Sequence, residues 1–140
     1  MENYIYFAAP LFTRGERDFN SSLAASLRQG GFKVFLPQEE CQGTHAEMFA
    51  TCRRGVGEAS IVVAILDGAD ADSGTCWEVG YAYAKGIPVL GVRTDFRGTG
   101  DTEGFNLMLK FSCRSVLNLG VELDAQTIGA KIKAVLDTWT

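Results

Sequence analysis

Ile61-Val62-Val63-Ala64-Ile65-Leu66, running straight into Asp67-Gly68-Ala69-Asp70-Ala71-Asp72-Ser73-Gly74-Thr75-Cys76-Trp77-Glu78, is the stretch from which the fold is read. Six apolar residues in a row, mostly β-branched, describe a strand, and the lack of polar alternation means that both of its faces are covered. A strand covered on both faces belongs to a parallel sheet with helices on either side. The segment after it, rich in Asp, Gly and Ser, is a loop leading into a helix over about 75–85.

The same alternation continues in both directions. Upstream, Tyr4–Ala9 is a strand stopped at Pro10. A helix from about Arg14 to Gln29 carries Phe19, Leu23 and Leu27 at helical spacing and closes at Gly30-Gly31. Lys33–Leu36 is a short strand ended by Pro37, and a helix over about 45–58 bears Met48, Phe49, Cys52 and Val56 on one side. Downstream come a strand at Ile87–Val92, a polar loop from Arg93 to Gly104 and a short helix near Phe105–Phe111. A strand at Ser115–Leu119 and a helix from Asp124 to Trp139 finish the chain. Five βα repeats without linker or repeat predict one domain over residues 1–140, an α/β flavodoxin-like three-layer sandwich with strand order 2-1-3-4-5. Ligands in such sheets bind beyond the C-terminal strand ends where the order reverses, between strands 1 and 3. That rule brings Tyr6–Phe12 and Asp67–Glu78 around one crevice.

Composition narrows the partners. The 140 residues carry a net charge of -4, with both signs interspersed, which excludes an electrostatic footprint for a nucleic acid polymer or an anionic membrane. Cys41, Cys52, Cys76 and Cys113 form no C-x-x-C pair, and His45 is the single histidine, expected as an exposed helix-start residue. No zinc site and no other metal is therefore expected. Met1–Asn3 has no basic leader, and no apolar run approaches the ~18 residues of a membrane span. The expectation is a cytosolic protein with reduced thiols.

Four carboxylates in the twelve residues Asp67–Glu78, beside the expected crevice, are the densest chemical signal. Breaking a glycosidic bond passes through an oxocarbenium-like state, which one carboxylate can attack while another acidic group assists the leaving base. Glu78 on a helix and Asp72 in the loop before it can divide those roles. A second reading stands beside this one. Thr75-Cys76-Trp77-Glu78 fits the S/T-x-x-E capping box, in which Glu78 only satisfies a backbone N–H. Asp67 and Asp70 read as turn residues, and an EF-hand spacing is missing. Gly74 allows close approach of a ligand, and Gly80 reads as a helix–sheet packing residue. Among Phe7, Phe12 and Trp77, Phe12 is singled out for stacking on a base; aromatic residues in a strand or on a helix face are more often core.

Tyr6-Phe7-Ala8-Ala9-Pro10-Leu11-Phe12, Asp72-Ser73-Gly74-Thr75-Cys76-Trp77-Glu78-Val79-Gly80-Tyr81-Ala82 and Asn106-Leu107-Met108 resemble, in order, three motifs of the nucleoside 2-deoxyribosyltransferase family. The resemblance implies transfer of 2-deoxyribose between nucleobases through a covalent glutamate intermediate, with no cofactor and a place in nucleotide salvage. Glu78 would be the nucleophile, Asp72 would contact the base and move protons, and Tyr6 would orient Glu78. Ala8, Phe12 and Gly74 would border the substrate. Asn106 would reach a neighbouring subunit's site, which implies a homodimer or higher oligomer with shared active sites. Cys52 stands where the family often has a base-binding Asp. Two alternatives stay open: a 2′-deoxynucleoside 5′-monophosphate N-glycosidase, which needs a phosphate cradle near Thr13-Arg14-Gly15, and a nucleotide-binding module without chemistry. The loop Arg93–Gly104 reads as a lid, an interface segment or, by default, a solvated loop.

Overall fold

A computed structural model describes residues 3–98 and 100–140. Of the expected leaderless start only Asn3 falls among them, and of the loop Arg93–Gly104 all but Thr99. Strands β1 (Ile5–Ala8), β2 (Val34–Phe35), β3 (Ile61–Ile65), β4 (Val89–Arg93) and β5 (Ser115–Asn118) form a parallel sheet in the order β2-β1-β3-β4-β5. Helices α1 (Arg14–Gln29), α2 (Pro37–Glu40), α3 (His45–Gly57), α4 (Ser73–Ala84), α5 (Leu107–Ser112) and α6 (Ala125–Asp137) connect them. The flavodoxin-like order is the one that the βα alternation predicts.

Strand periodicity divides the core in two. Ile5, Phe7 and Ala9 face α1 and α6, packing on Leu23, Leu27, Ile128, Ile132 and Leu136. Tyr6 and Ala8 face the other way, onto Val56 of α3 and Val79 and Ala82 of α4. Residues two apart on a strand share a face, so the pairing of Tyr6 with Val62 in the β1–β3 register commits the Tyr6 ring to the α3–α4 side.

Several boundaries differ from expectation for identifiable reasons. β2 keeps only two residues, because Leu36 becomes the N-cap and Pro37 the first residue of α2. Proline suits that position, where its missing N–H costs no bond. α4 begins at Ser73 with Asp72 as its N-cap, two residues before the expected start. β4 runs to Arg93, which is buried and pairs with Asp95 at 2.9 Å instead of opening a solvated loop. Asp67 is more than a turn residue: it accepts from the Thr94 backbone N–H at 2.6 Å and from the Thr94 hydroxyl, tying the loop after β3 to the end of β4.

The reduced-thiol expectation fails for one pair. Cys41 and Cys52 form a disulfide, while Cys76 and Cys113 are free. The turn after α2 folds back on α3 and brings the two Cα atoms to 6.3 Å, within bonding range for cystine. A separation of 11 residues with no motif gives no hint of this in the sequence. Among the described residues no helix is long and apolar enough to cross a membrane.

Candidate active site

The local start of α4 decides what Glu78 does. Capping boxes form where the sequence pattern marks them at Thr13–Glu16 and Thr44–Glu47, each with reciprocal side-chain and backbone bonds. At Thr75–Glu78 the same pattern fails. Asp72 has already capped the helix, its carboxylate accepting from the Thr75 N–H at 2.9 Å and the Thr75 hydroxyl at 3.2 Å. Thr75 is thus buried inside the first turn, and Glu78 falls in the second turn with no orphan N–H to serve. The capping reading of Glu78 is therefore wrong, and its carboxylate is left for another partner.

That partner is Tyr6. The phenol, wholly buried under α4, donates to Glu78 Oε2. One aromatic contact, itself backed by a second ring, holds the phenol in position. The Phe35 ring stacks on Tyr6 with centroids 5.2 Å apart and on Tyr4 at 5.9 Å, and Tyr4 donates to the Gly55 carbonyl at 2.6 Å. Gly55 is required here, since a Cβ on it would stand 2.8 Å from the Phe35 ring.

Burial raises the Glu78 carboxyl to about 7, against a pull downward from the Tyr6 hydrogen bond and a further push upward from the Asp72 charge. The Tyr6 hydroxyl is pushed well above its ordinary value by burial and then by the Glu78 charge, so it stays a donor. A half-buried carboxylate held by one directed donor is arranged to act as a nucleophile; protonated, it is arranged to act as an acid.

Glu78 and Asp72 open on a cleft of about 280 Å³. Ala9, Leu11 and Phe12 from the end of β1 form one wall, and Phe49, Cys52 and Arg53 of α3 another. Gly74 and Trp77 of α4 complete it. Phe12, Phe49 and Trp77 are exposed at the rim (75%, 57% and 46%) although large and apolar, which suits rings that await a flat partner. The Phe49 and Trp77 rings meet edge to face at 5.7 Å, and Trp77 stacks on Tyr81 at 5.1 Å.

Tyr6, Phe12, Asp72, Gly74 and Glu78 thus come together as expected. Ala8 does not: it is fully buried in β1, and Ala9 takes the place on the cleft wall. Phe7 belongs to the α1–α6 core. Gly80 is exposed with open space around its α-carbon, so it serves no helix–sheet packing. Asn106 caps α5, accepting from the Leu109 N–H at 3.2 Å, and lines a separate cavity of about 540 Å³ with Arg93, Cys76 and Met108. The two cavities share no lining residue, so within one chain Asn106 does not meet Glu78. Sequence reasoning missed Phe49 and Arg53. Their signal is the spacing Phe49, Cys52, Arg53 on α3, which turns all three side chains to one side.

A doubly wound sheet with a hydrogen-bonded Tyr–Glu pair beneath an aromatic cleft defines an α/β protein with a candidate carboxylate site. The family model for nucleoside 2-deoxyribosyltransferase matches residues 5–126, and the chain belongs to that family. Among solved structures it is similar to a conserved protein from Enterococcus faecalis, with 28% identity and a TM-score of 0.72 over 96% of this chain and 99% of that one. It is also similar to the 2-deoxyribosyltransferase of Bacillus psychrosaccharolyticus, with 27% identity and a TM-score of 0.69 over 90% of each chain. A CMP N-glycosidase from Clostridium botulinum shares the fold at 16% identity, with a TM-score of 0.66 over 94% of this chain and 99% of that one. Among proteins of curated function no sequence matches.

Proposed function

We propose that this deoxyribosyltransferase-type enzyme transfers 2-deoxyribose between nucleobases by double displacement on Glu78. A carboxylate oxygen of Glu78 bonds to C1′ as the C1′–N bond breaks, its electron pair leaving with the base, which takes up a proton. The ring nitrogen of a second base then attacks C1′, the glutamyl ester opens, and the incoming base gives up its proton. Two inversions retain configuration. Asp72 lies in the same cleft and relays the proton, Tyr6 steadies the carboxylate, and Phe12 stacks on the base. The observation that carries this reading is the hydrogen-bonded Tyr6–Glu78 pair at the cleft, with Glu78 held near 7.

Free nucleosides are favoured over monophosphates by the state of the first strand–helix turn. The Phe12 and Thr13 N–H groups, which a phosphate cradle would use, both donate to Glu16 Oε1, at 3.0 and 2.8 Å. That carboxylate stands where a phosphate would bind. Exposed Leu107, Met108 and Phe111 on α5, next to Asn106, support an oligomer in which Asn106 serves a neighbour's cleft. A cytosolic location and a salvage role belong to the same proposal.

The test is chromatography of 2′-deoxyinosine and thymidine incubated separately with adenine and with cytosine, for the wild type and Glu78→Ala. New 2′-deoxyadenosine or 2′-deoxycytidine from the wild type alone supports transfer and the nucleophile. Free base with no new nucleoside points to hydrolysis. Binding without turnover, unchanged in Glu78→Ala, would return the protein to a binding module.

A further inference from the structure

Arg53 is an unspent cation in the cleft. It lies one residue beyond Cys52 and one helical turn beyond Phe49, and all three line the cavity that holds Glu78. Its guanidinium has no hydrogen bond or ion pair with any other described residue, although two carboxylates share the cleft. Those acids have other tasks in the proposed reaction, Glu78, held by Tyr6, at the sugar carbon and Asp72, beside its bond from Thr75, in proton transfer. Cys52 offers no thiol proton, since its sulfur is bonded to Cys41. On this wall the polar recognition left for a ligand falls to five N–H donors on Arg53, a group that cannot accept.

Its position assigns those donors to the base. Arg53 follows Phe49 at i+4, so the two side chains lie one above the other on α3, and Phe49 touches Trp77 at 5.7 Å. A base stacked among these rings with its sugar carbon at Glu78 would present its edge to the guanidinium. A planar donor fork matches two neighbouring acceptors, as O6 and N7 of a 6-oxopurine supply; a 6-aminopurine sets its own N–H donors against the fork.

Given the transferase reading, we propose that Arg53 is the specificity-determining residue of this cleft and selects 6-oxopurines over 6-aminopurines. The discrimination expected of one bidentate contact is roughly 10- to 100-fold in kcat/KM. Arg53→Gln replaces the fork by an amide, which donates and accepts as the N6/N7 edge of adenine requires, so the preference shrinks or inverts. Arg53→Ala loses the preference by slowing the oxopurine reaction alone.

The experiment follows exchange of labelled hypoxanthine into 2′-deoxyinosine and of labelled adenine into 2′-deoxyadenosine, with thymine into thymidine as a third arm. Wild type, Arg53→Gln and Arg53→Ala are compared after circular dichroism has established that each is folded. Faster hypoxanthine exchange in the wild type, with the ratio moved at least about tenfold toward adenine in Arg53→Gln, supports the proposal. Equal or adenine-favoured exchange in the wild type overturns it, as does a preference that Arg53→Gln leaves untouched, or exchange of thymine only. Absence of exchange in all three arms sinks the transferase reading itself, which is a different result. A fourth arm with 2′-deoxyinosine 5′-monophosphate covers phosphate binding: if Arg53→Gln impairs only that substrate, the guanidinium holds phosphate and the proposal is wrong.

Discussion

Glu78→Gln is the substitution that most directly probes the carboxyl proposed as nucleophile. In the folded protein the carboxyl titrates at about 7 rather than at the ordinary 4.5, chiefly because burial penalises its charge. Between those values the folded state keeps a proton that the unfolded chain has released. Stability therefore falls as pH rises from about 4.5 through about 7, by roughly 3 kcal/mol in all. Glutamine has nearly the same shape, still accepts the Tyr6 hydrogen bond and carries no charge at any pH. Urea unfolding of both proteins from about pH 4.5 to about pH 8 is the assay. The two should be of similar stability at the acid end, with the variant ahead by about 3 kcal/mol at the alkaline end, a shift of roughly 10 °C in Tm. Transferase activity of the variant should fall at least about a thousandfold over the same range, since an amide does not form the ester. Parallel stability curves, with a gap constant to within about 0.5 kcal/mol, would refute the buried-carboxylate argument.

Tyr6→Phe removes the donor that holds the Glu78 carboxyl down, so the acidic limb of the kcat/KM profile should move to higher pH by about one unit. An unmoved limb would mean that Tyr6 only fills space. Gly55→Ala drives a methyl group into the Phe35 ring and should destabilise the protein by about 1–3 kcal/mol in urea, while Gly80→Ala, with open space around it, should be neutral or slightly stabilising. Reduction of the Cys41–Cys52 bond, which closes a short loop, should lower stability by up to about 3 kcal/mol. Wild type with and without a dithiol reductant is compared with the Cys41→Ala/Cys52→Ala double variant, whose urea midpoint should ignore the reductant.

The sheet was legible in the sequence because its evidence is local and redundant. The run Ile61–Leu66, short and mostly β-branched, reads as a strand with both faces buried, and Phe19, Leu23 and Leu27 read as one face of an amphipathic helix. The expected strand order also sufficed to bring Tyr6, Asp72 and Glu78 to one crevice, since chain topology carries the ends of β1 and β3 side by side. Three matters were decided only in the folded structure. Whether Glu78 capped a helix or faced Tyr6 turned on a shift of two residues in the start of α4, which Asp72 settled by taking the Thr75 N–H first. The Cys41–Cys52 bond depended on the path of the chain through α2, invisible at a separation of 11 residues. Phe49 and Cys52 read with Met48 and Val56 as one apolar side of a helix and Arg53 was not read at all, because helical spacing marks which side chains share a side but not whether protein or ligand covers them.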